Sequence, residues 1–299
     1  MNKMNKMLMK LIIVLFFIYF SCGDEENTNS IKLIKDDYGN QFYTDSLPKK
    51  IISLAPNLTE CMYAIGADSL LVGVTNYCDY PVQAQSKTKV GGILDPNFEI
   101  ISTLSPDVVL LTTEGNPKNI YYSLKNFNFK VFISNPLDIA GVSRTILNLG
   151  RLTGKEEKAK ILSNYILDKK KEFEMINKGM KRKKCLLLIS ISPLITVNKY
   201  TYINETIELS GLENIFKDEI NSYPMVNYES VIKYNPEYII VSLDTSNINL
   251  MTEYNDILNK ELNSTSAIKN KKIIFTDENL LMRPGPRVIE CIMSIRNNL

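Results

Sequence analysis

The residue types that carry most hydrolytic and metal chemistry are sparse in this chain. It contains no histidine, which excludes Ser-His-Asp and Cys-His catalysis and any His-ligated zinc or haem site. Cys61, Cys78, Cys185 and Cys291 show neither CxxC nor metal-ligand spacing. They read as buried thiols, and their pairing is not legible from spacing. No catalytic residue, no metal site and no resident cofactor is expected. The side chains that stand out are two carboxylates, Glu99 and Glu229, each inside a stretch that occurs twice.

The first copy runs Asn97-Phe98-Glu99 through Ser105-Pro106-Asp107-Val108-Val109, the second Asn227-Tyr228-Glu229 through Asn235-Pro236-Glu237-Tyr238-Ile239. The offset is constant, since 229 − 99 = 130 and 236 − 106 = 130. Asn is a favourable N-cap, a Glu in the first turn complements the helix dipole, and the proline marks the helix end. A β-branched strand follows. Such a repeat predicts two similar α/β lobes. Glu99 and Glu229 then have two readings. They complement helix dipoles, or they form matched acids on one face for a partner with two basic patches.

The elements around the repeat alternate in the βαβ manner of a parallel sheet. Strands are expected at Ile51–Leu54, Leu70–Val74, Val108–Thr113, Lys130–Ser134, Cys185–Ile191 and Lys272–Phe275. Between the lobes, Lys155–Asn177 lacks Gly and Pro. As a helix it would extend about 34 Å, a stiff strut that disfavours large hinge closure. The expected division is 41–136 for the first lobe, 137–180 for the connecting helical region and 181–299 for the second lobe.

The amino terminus has its own logic. Lys3, Lys6 and Lys10 precede the apolar run Leu11–Phe20 and Ser21-Cys22-Gly23, the pattern of a signal peptide over 1–21. Cys22 is placed as in a lipoprotein lipobox, which predicts lipidation, and 22–40 is expected to be a flexible tether. The chain is therefore expected to be exported and anchored at the periplasmic or cell-surface face of a membrane. With 299 residues, 44 % of them hydrophobic, and net charge +2, it lacks the basic field of a nucleic-acid binder.

These motifs together resemble a known family. Ile51-Ile52-Ser53-Leu54-Ala55-Pro56-Asn57-Leu58-Thr59-Glu60, Leu71 to Pro81, Val90-Gly91-Gly92, both repeat units, Leu212 to Phe216 and Arg283-Pro284-Gly285-Pro286-Arg287 are similar to the substrate-binding proteins of cobalamin, haem and iron-siderophore ABC importers. Within that family they most resemble the cobalamin binders. The resemblance implies two α/β lobes joined by one long rigid helix, with the ligand in the cleft between them and no enzymatic activity. It implies that Glu99 and Glu229 dock onto a permease dimer. It also places Tyr77, Tyr223, Asn279, Leu280, Leu281, Met282 and Arg283 around a corrinoid ligand. The chain has no tryptophan; Thr113, and Gly92 or Ile93, stand near positions where cobalamin binders carry one. A haem or ferric-siderophore receptor is the alternative of the same class. An exported enzyme and a surface lipoprotein feeding an outer-membrane transporter are the other readings weighed.

Overall fold

The computed structural model describes residues 33–113 and 115–299, so the signal-peptide and Cys22 expectations lie outside the described residues. Two four-stranded parallel sheets form the framework. The first contains β3 (Ile51–Ser53), β4 (Leu71–Val74), β5 (Val108–Thr112) and β6 (Val131–Ser134) in the order β4-β3-β5-β6. The second contains β7 (Lys183–Leu188), β10 (Leu212–Asn214), β11 (Tyr238–Leu243) and β12 (Ile273–Asp277) in the order β10-β7-β11-β12. The two orders are the same once β3 is matched to β7 and β5 to β11. Small antiparallel pairs, β1 (Leu33–Lys35) with β2 (Gln41–Tyr43) and β8 (Ser190–Ile191) with β9 (Leu194–Ile195), complete the strands.

The β1–β2 pair shows that the first lobe begins ahead of residue 41. Its turn is held by Asp36, whose carboxylate accepts from the backbone N–H of Tyr38 and Asn40 at 2.9 and 2.8 Å. The same carboxylate accepts from Ile133 N–H at 2.8 Å, tying the hairpin to β6. Ile34 and Phe42 are buried with the lobe's core. The stretch from residue 33 to 40, expected as tether, is therefore part of the fold.

The helices are α1 (Pro56–Ala64), α2 (Phe98–Leu104), α3 (Lys118–Asn126), α4 (Ile139–Leu152), α5 (Glu156–Asn177), α6 (Tyr202–Leu209), α7 (Tyr228–Tyr234), α8 (Ile248–Glu261), α9 (Ser266–Lys269), α10 (Glu278–Leu281) and α11 (Val288–Arg296). The sequence repeat appears as α2–β5 and α7–β11. Asn97 Oδ1 accepts from the N–H of Glu99 and Ile100, both at 3.0 Å, and Asn227 Oδ1 from Ser230 N–H at 2.8 Å. Each helix ends in a left-handed residue, Ser105 (φ 50°) or Asn235 (φ 49°), so the turn reversal comes one residue before the proline. The acid after each proline also has a shared task. Asp107 accepts from Lys49 and Lys50 N–H at 2.7 and 2.9 Å, and Glu237 from Lys184 N–H at 3.0 Å, pinning the neighbouring strand's start.

Side chains alternate across each sheet, so each lobe has a core on both faces. The 22-residue α5 is the long strut, with α4 packed along it. The terminal helix α11 adds a second tie. Val288, Ile289 and Ile292 enter the first lobe's core while Cys291 and Ile295 enter the second's. Residues at i and i+4 share a helical stripe, so two adjacent stripes of one helix serve two cores.

Candidate functional site

A cavity of about 290 Å³ opens where segments of the two lobes meet. The first lobe contributes Ala55, Pro56 and Asn57 after β3, and Thr112 and Gly115 at the end of β5. The second contributes Asn279, Met282 and Arg283, which follow β12. Between β3 and β5 the chain's crossovers diverge, and ligands of open α/β sheets bind outside the carboxyl ends of strands at such a point. The lobes also touch directly here: Asn57 Nδ2 donates to Pro284 O at 3.3 Å.

One wall is fixed by charge. Glu60, on α1, is only 2 % exposed, and a carboxylate so deeply buried must be paired. Arg287 Nε donates to Glu60 Oε2 at 2.8 Å and its Nη2 to Oε1 at 2.7 Å, a bidentate fork. Arg283 Nη1 donates to Glu60 Oε1 at 3.0 Å and to Asp79 Oδ1 at 2.7 Å. Its Nη2 donates to Tyr77 O at 3.2 Å. The Arg287 guanidinium also lies 4.0 Å over the Tyr80 ring. Burial works against the charge of both arginines, but the hydrogen bonds to the carboxylates more than offset it and hold each above the usual guanidinium value. For Asp79, burial acts upward, and the hydrogen bond and charge of Arg283 bring the carboxyl below its usual value. The network spans the two lobes and locks the Tyr77 loop against the segment before α11. With α5 and the shared core of α11, it gives a pre-shaped cleft.

Comparison with known proteins matches this architecture. The periplasmic binding protein family model covers residues 51–280. The chain belongs to that family. A vitamin B12-binding protein of Photorhabdus laumondii is 27 % identical over 87 % of this periplasmic binding protein and 90 % of the relative. The periplasmic vitamin B12 binding protein BtuF of Vibrio cholerae superimposes with a TM-score of 0.75 at 25 % identity, covering 84 % of this chain and 96 % of that one. A periplasmic haem-binding protein of Pseudomonas aeruginosa has a TM-score of 0.74 at 20 % identity, covering 84 % and 92 %, and shares the fold.

The expected site residues of this periplasmic binding protein separate into groups. Tyr77, Asn279, Met282 and Arg283 all line the cavity, and Tyr77 is 59 % exposed. Arg283 is already committed to Glu60, Asp79 and the Tyr77 carbonyl. Leu281 is a correction: it is fully buried in the second lobe's core, and Leu280 packs against that core beside it. Helix α10 turns Leu281 into the core, and neither leucine lines the 290 Å³ cavity. Tyr223 is exposed on the second lobe's loop, between Ser222 and Pro224, whose carbonyls accept from Asn198 and Thr196; it does not line the 290 Å³ cavity. Glu99 and Glu229 are exposed in the first turns of α2 and α7, and neither makes an ion pair among the described residues. The four cysteines from Cys61 onward are buried free thiols.

Glu60, Asp79 and Arg287 were not singled out from the sequence. One signal was available: Glu60 is the one charged residue of α1, and Arg283 and Arg287 are spaced i, i+4.

Proposed function

We propose that this protein captures cobalamin or a related corrinoid in the inter-lobe cleft and delivers it to the permease of an ABC importer. The observation that carries the reading is the cleft at the carboxyl ends of the first sheet's strands, in a chain whose relatives include vitamin B12-binding proteins along nearly their whole length. Its wall is chemically suitable. Tyr77, Ile93, Met282 and Pro284 offer apolar contact to a flat ring, and Asn57 and Asn279 stand among them as polar groups. Arg283, held by two carboxylates, is poorly placed to take an anionic siderophore arm without breaking those contacts. Delivery would use Glu99 and Glu229 against basic residues of the permease dimer, as charge-assisted contacts that orient the encounter. Cys22 would carry the lipid that keeps the receptor at the extracytoplasmic face of the membrane.

A haem receptor is the second reading, because the exposed Tyr77 phenol stands at the cavity wall and tyrosine is a haem-iron ligand. A calorimetric titration panel of cyanocobalamin, haemin and a ferric siderophore decides between them. Saturable binding of cyanocobalamin without turnover is expected. Binding of haemin or siderophore with none of cyanocobalamin would overturn the assignment.

A further inference from the structure

The charge of this chain is unevenly placed. Residues 155–184 hold eleven Lys and Arg against five Asp and Glu, a net +6. The whole chain carries +2, so everything outside that segment sums to 2 − 6 = −4. The excess gathers where the strut α5 gives way to β7. Lys178, Lys181, Arg182, Lys183 and Lys184 follow with no acid among them, and all are exposed. A second run, Lys269, Lys271 and Lys272, leads into β12. Topology brings the two runs together. Strands β7 and β12 flank β11 in parallel, so both runs stand at the amino edge of one sheet. The Lys183 and Lys272 ammonium groups each lie 5.3 Å from the centroid of the Tyr238 ring, where β11 starts.

Few of these charges are spent inside the fold. Arg182 pairs with Glu208 at 3.4 Å, and Lys183 donates to the Tyr238 hydroxyl at 3.3 Å. The ammonium groups of Lys178, Lys181, Lys269 and Lys271 make neither a hydrogen bond nor an ion pair among the described residues. Large apolar side chains are exposed beside them: Met175, Ile176 and, within the basic run itself, Met180. A solvated corner accounts for the lysines but gains nothing from methionine and isoleucine facing water. A lipid surface uses both. Its phosphate groups attract the cations, and apolar tips enter the boundary between headgroups and acyl chains.

We propose that the amino edge of the second sheet, with the end of α5, docks on an anionic lipid bilayer. Strand direction supplies the consequence. The cavity-lining Asn279, Met282 and Arg283 follow the carboxyl end of β12, while Lys271 and Lys272 precede its amino end. Lipid at this edge therefore meets the opposite end of β12 from the cavity wall. An anchor at Cys22 would confine the receptor to the membrane, whereas this edge would set how it lies there.

The test is sedimentation of the lipid-free mature chain, residues 23–299, with vesicles of phosphatidylglycerol and phosphatidylethanolamine or of phosphatidylcholine alone. Wild type should bind the anionic vesicles and not the neutral ones. That binding should be lost at about 1 M salt, where the screening length is about 3 Å. Replacing Lys178, Lys181 and Lys271 together by Gln should weaken it about ten- to a hundredfold. Met175→Ser with Met180→Ser should weaken it too. The triple change of Lys50, Lys125 and Lys130 to Gln, exposed on the first lobe, removes the same charge and should leave binding near wild type. Thermal melts and ligand titration should match wild type for the second-lobe lysine triple, since those side chains hold nothing in the fold. Failure to bind anionic vesicles, equal binding to neutral ones, or equal loss in the two triple variants overturns the proposal. Binding to heparin without binding to anionic vesicles also overturns it, and would assign the edge to an acidic polymer.

Discussion

Replacing Glu60 by glutamine probes the inter-lobe charge network most directly. The substitution keeps the side chain's volume and one oxygen acceptor, and it removes the one carboxylate that, among the described residues, is hydrogen-bonded to both Arg283 and Arg287. The Glu60 side chain is 1 % exposed, and those of Arg283 and Arg287 are 11 % and 15 % exposed. The guanidinium left behind by Glu60→Gln is therefore a largely desolvated charge. Removing one partner of such a buried pair costs about 3–5 kcal/mol. In a chain of this size each kcal/mol moves Tm by about 2–4 °C, so a loss of about 6–20 °C is expected. Asp79 still faces Arg283, which places the result toward the lower part of that range. Thermal unfolding followed by circular dichroism at neutral pH measures it, with the exposed Glu253→Gln on α8 as control. Affinity for the proposed ligand, cyanocobalamin, should fall as well, because Arg283 also holds the Tyr77 carbonyl at the cavity wall. A Glu60→Gln protein melting within about 2 °C of its parent would refute the network's role in joining the lobes.

Reversing both exposed acids, Glu99→Arg with Glu229→Arg, should leave ligand affinity unchanged and abolish uptake in a cell-based transport assay; retained uptake removes the docking assignment. The acid limb of stability should carry a contribution from Asp79. Its carboxyl is depressed in the folded protein, so the contribution is present above the ordinary value of 3.8 and is lost as pH falls through the lower folded value. The arginines, raised above their usual value, stay charged throughout the acid and neutral range. Between about pH 5 and 8 Asp79 and the two arginines should thus add no slope to Tm, whereas below pH 4 wild type should lose stability more steeply than Asp79→Asn. Parallel acid limbs would show that the contact with Arg283 does not contribute.

The sequence alone determined the lobe plan, because the signals involved are local. Asn97 and Asn227 cap through their own side chains, the two units keep one spacing, and period-two strands bury both faces whatever they pack against. The strut was legible for the same reason: Lys155–Asn177 has no helix breaker. Of the residues that the motif resemblance placed around a ligand, Tyr77, Asn279, Met282 and Arg283 line the 290 Å³ cavity. It misplaced Leu281, which lies in the second lobe's core, since the phase of the four-residue α10 depends on where Asp277 caps it.

Tertiary structure alone decided which charges are partnered and which polar groups are not. Glu60 and Arg287 are 227 residues apart, and no local pattern pairs them. The division of α11 between two cores depends on where each lobe's sheet lies around it. The Thr112 hydroxyl is buried without a hydrogen-bond partner among the described residues, which only the packing around β5 decides. Short-range periodicity fixes elements and caps; long-range packing fixes the desolvation and pairing that give this cleft its shape.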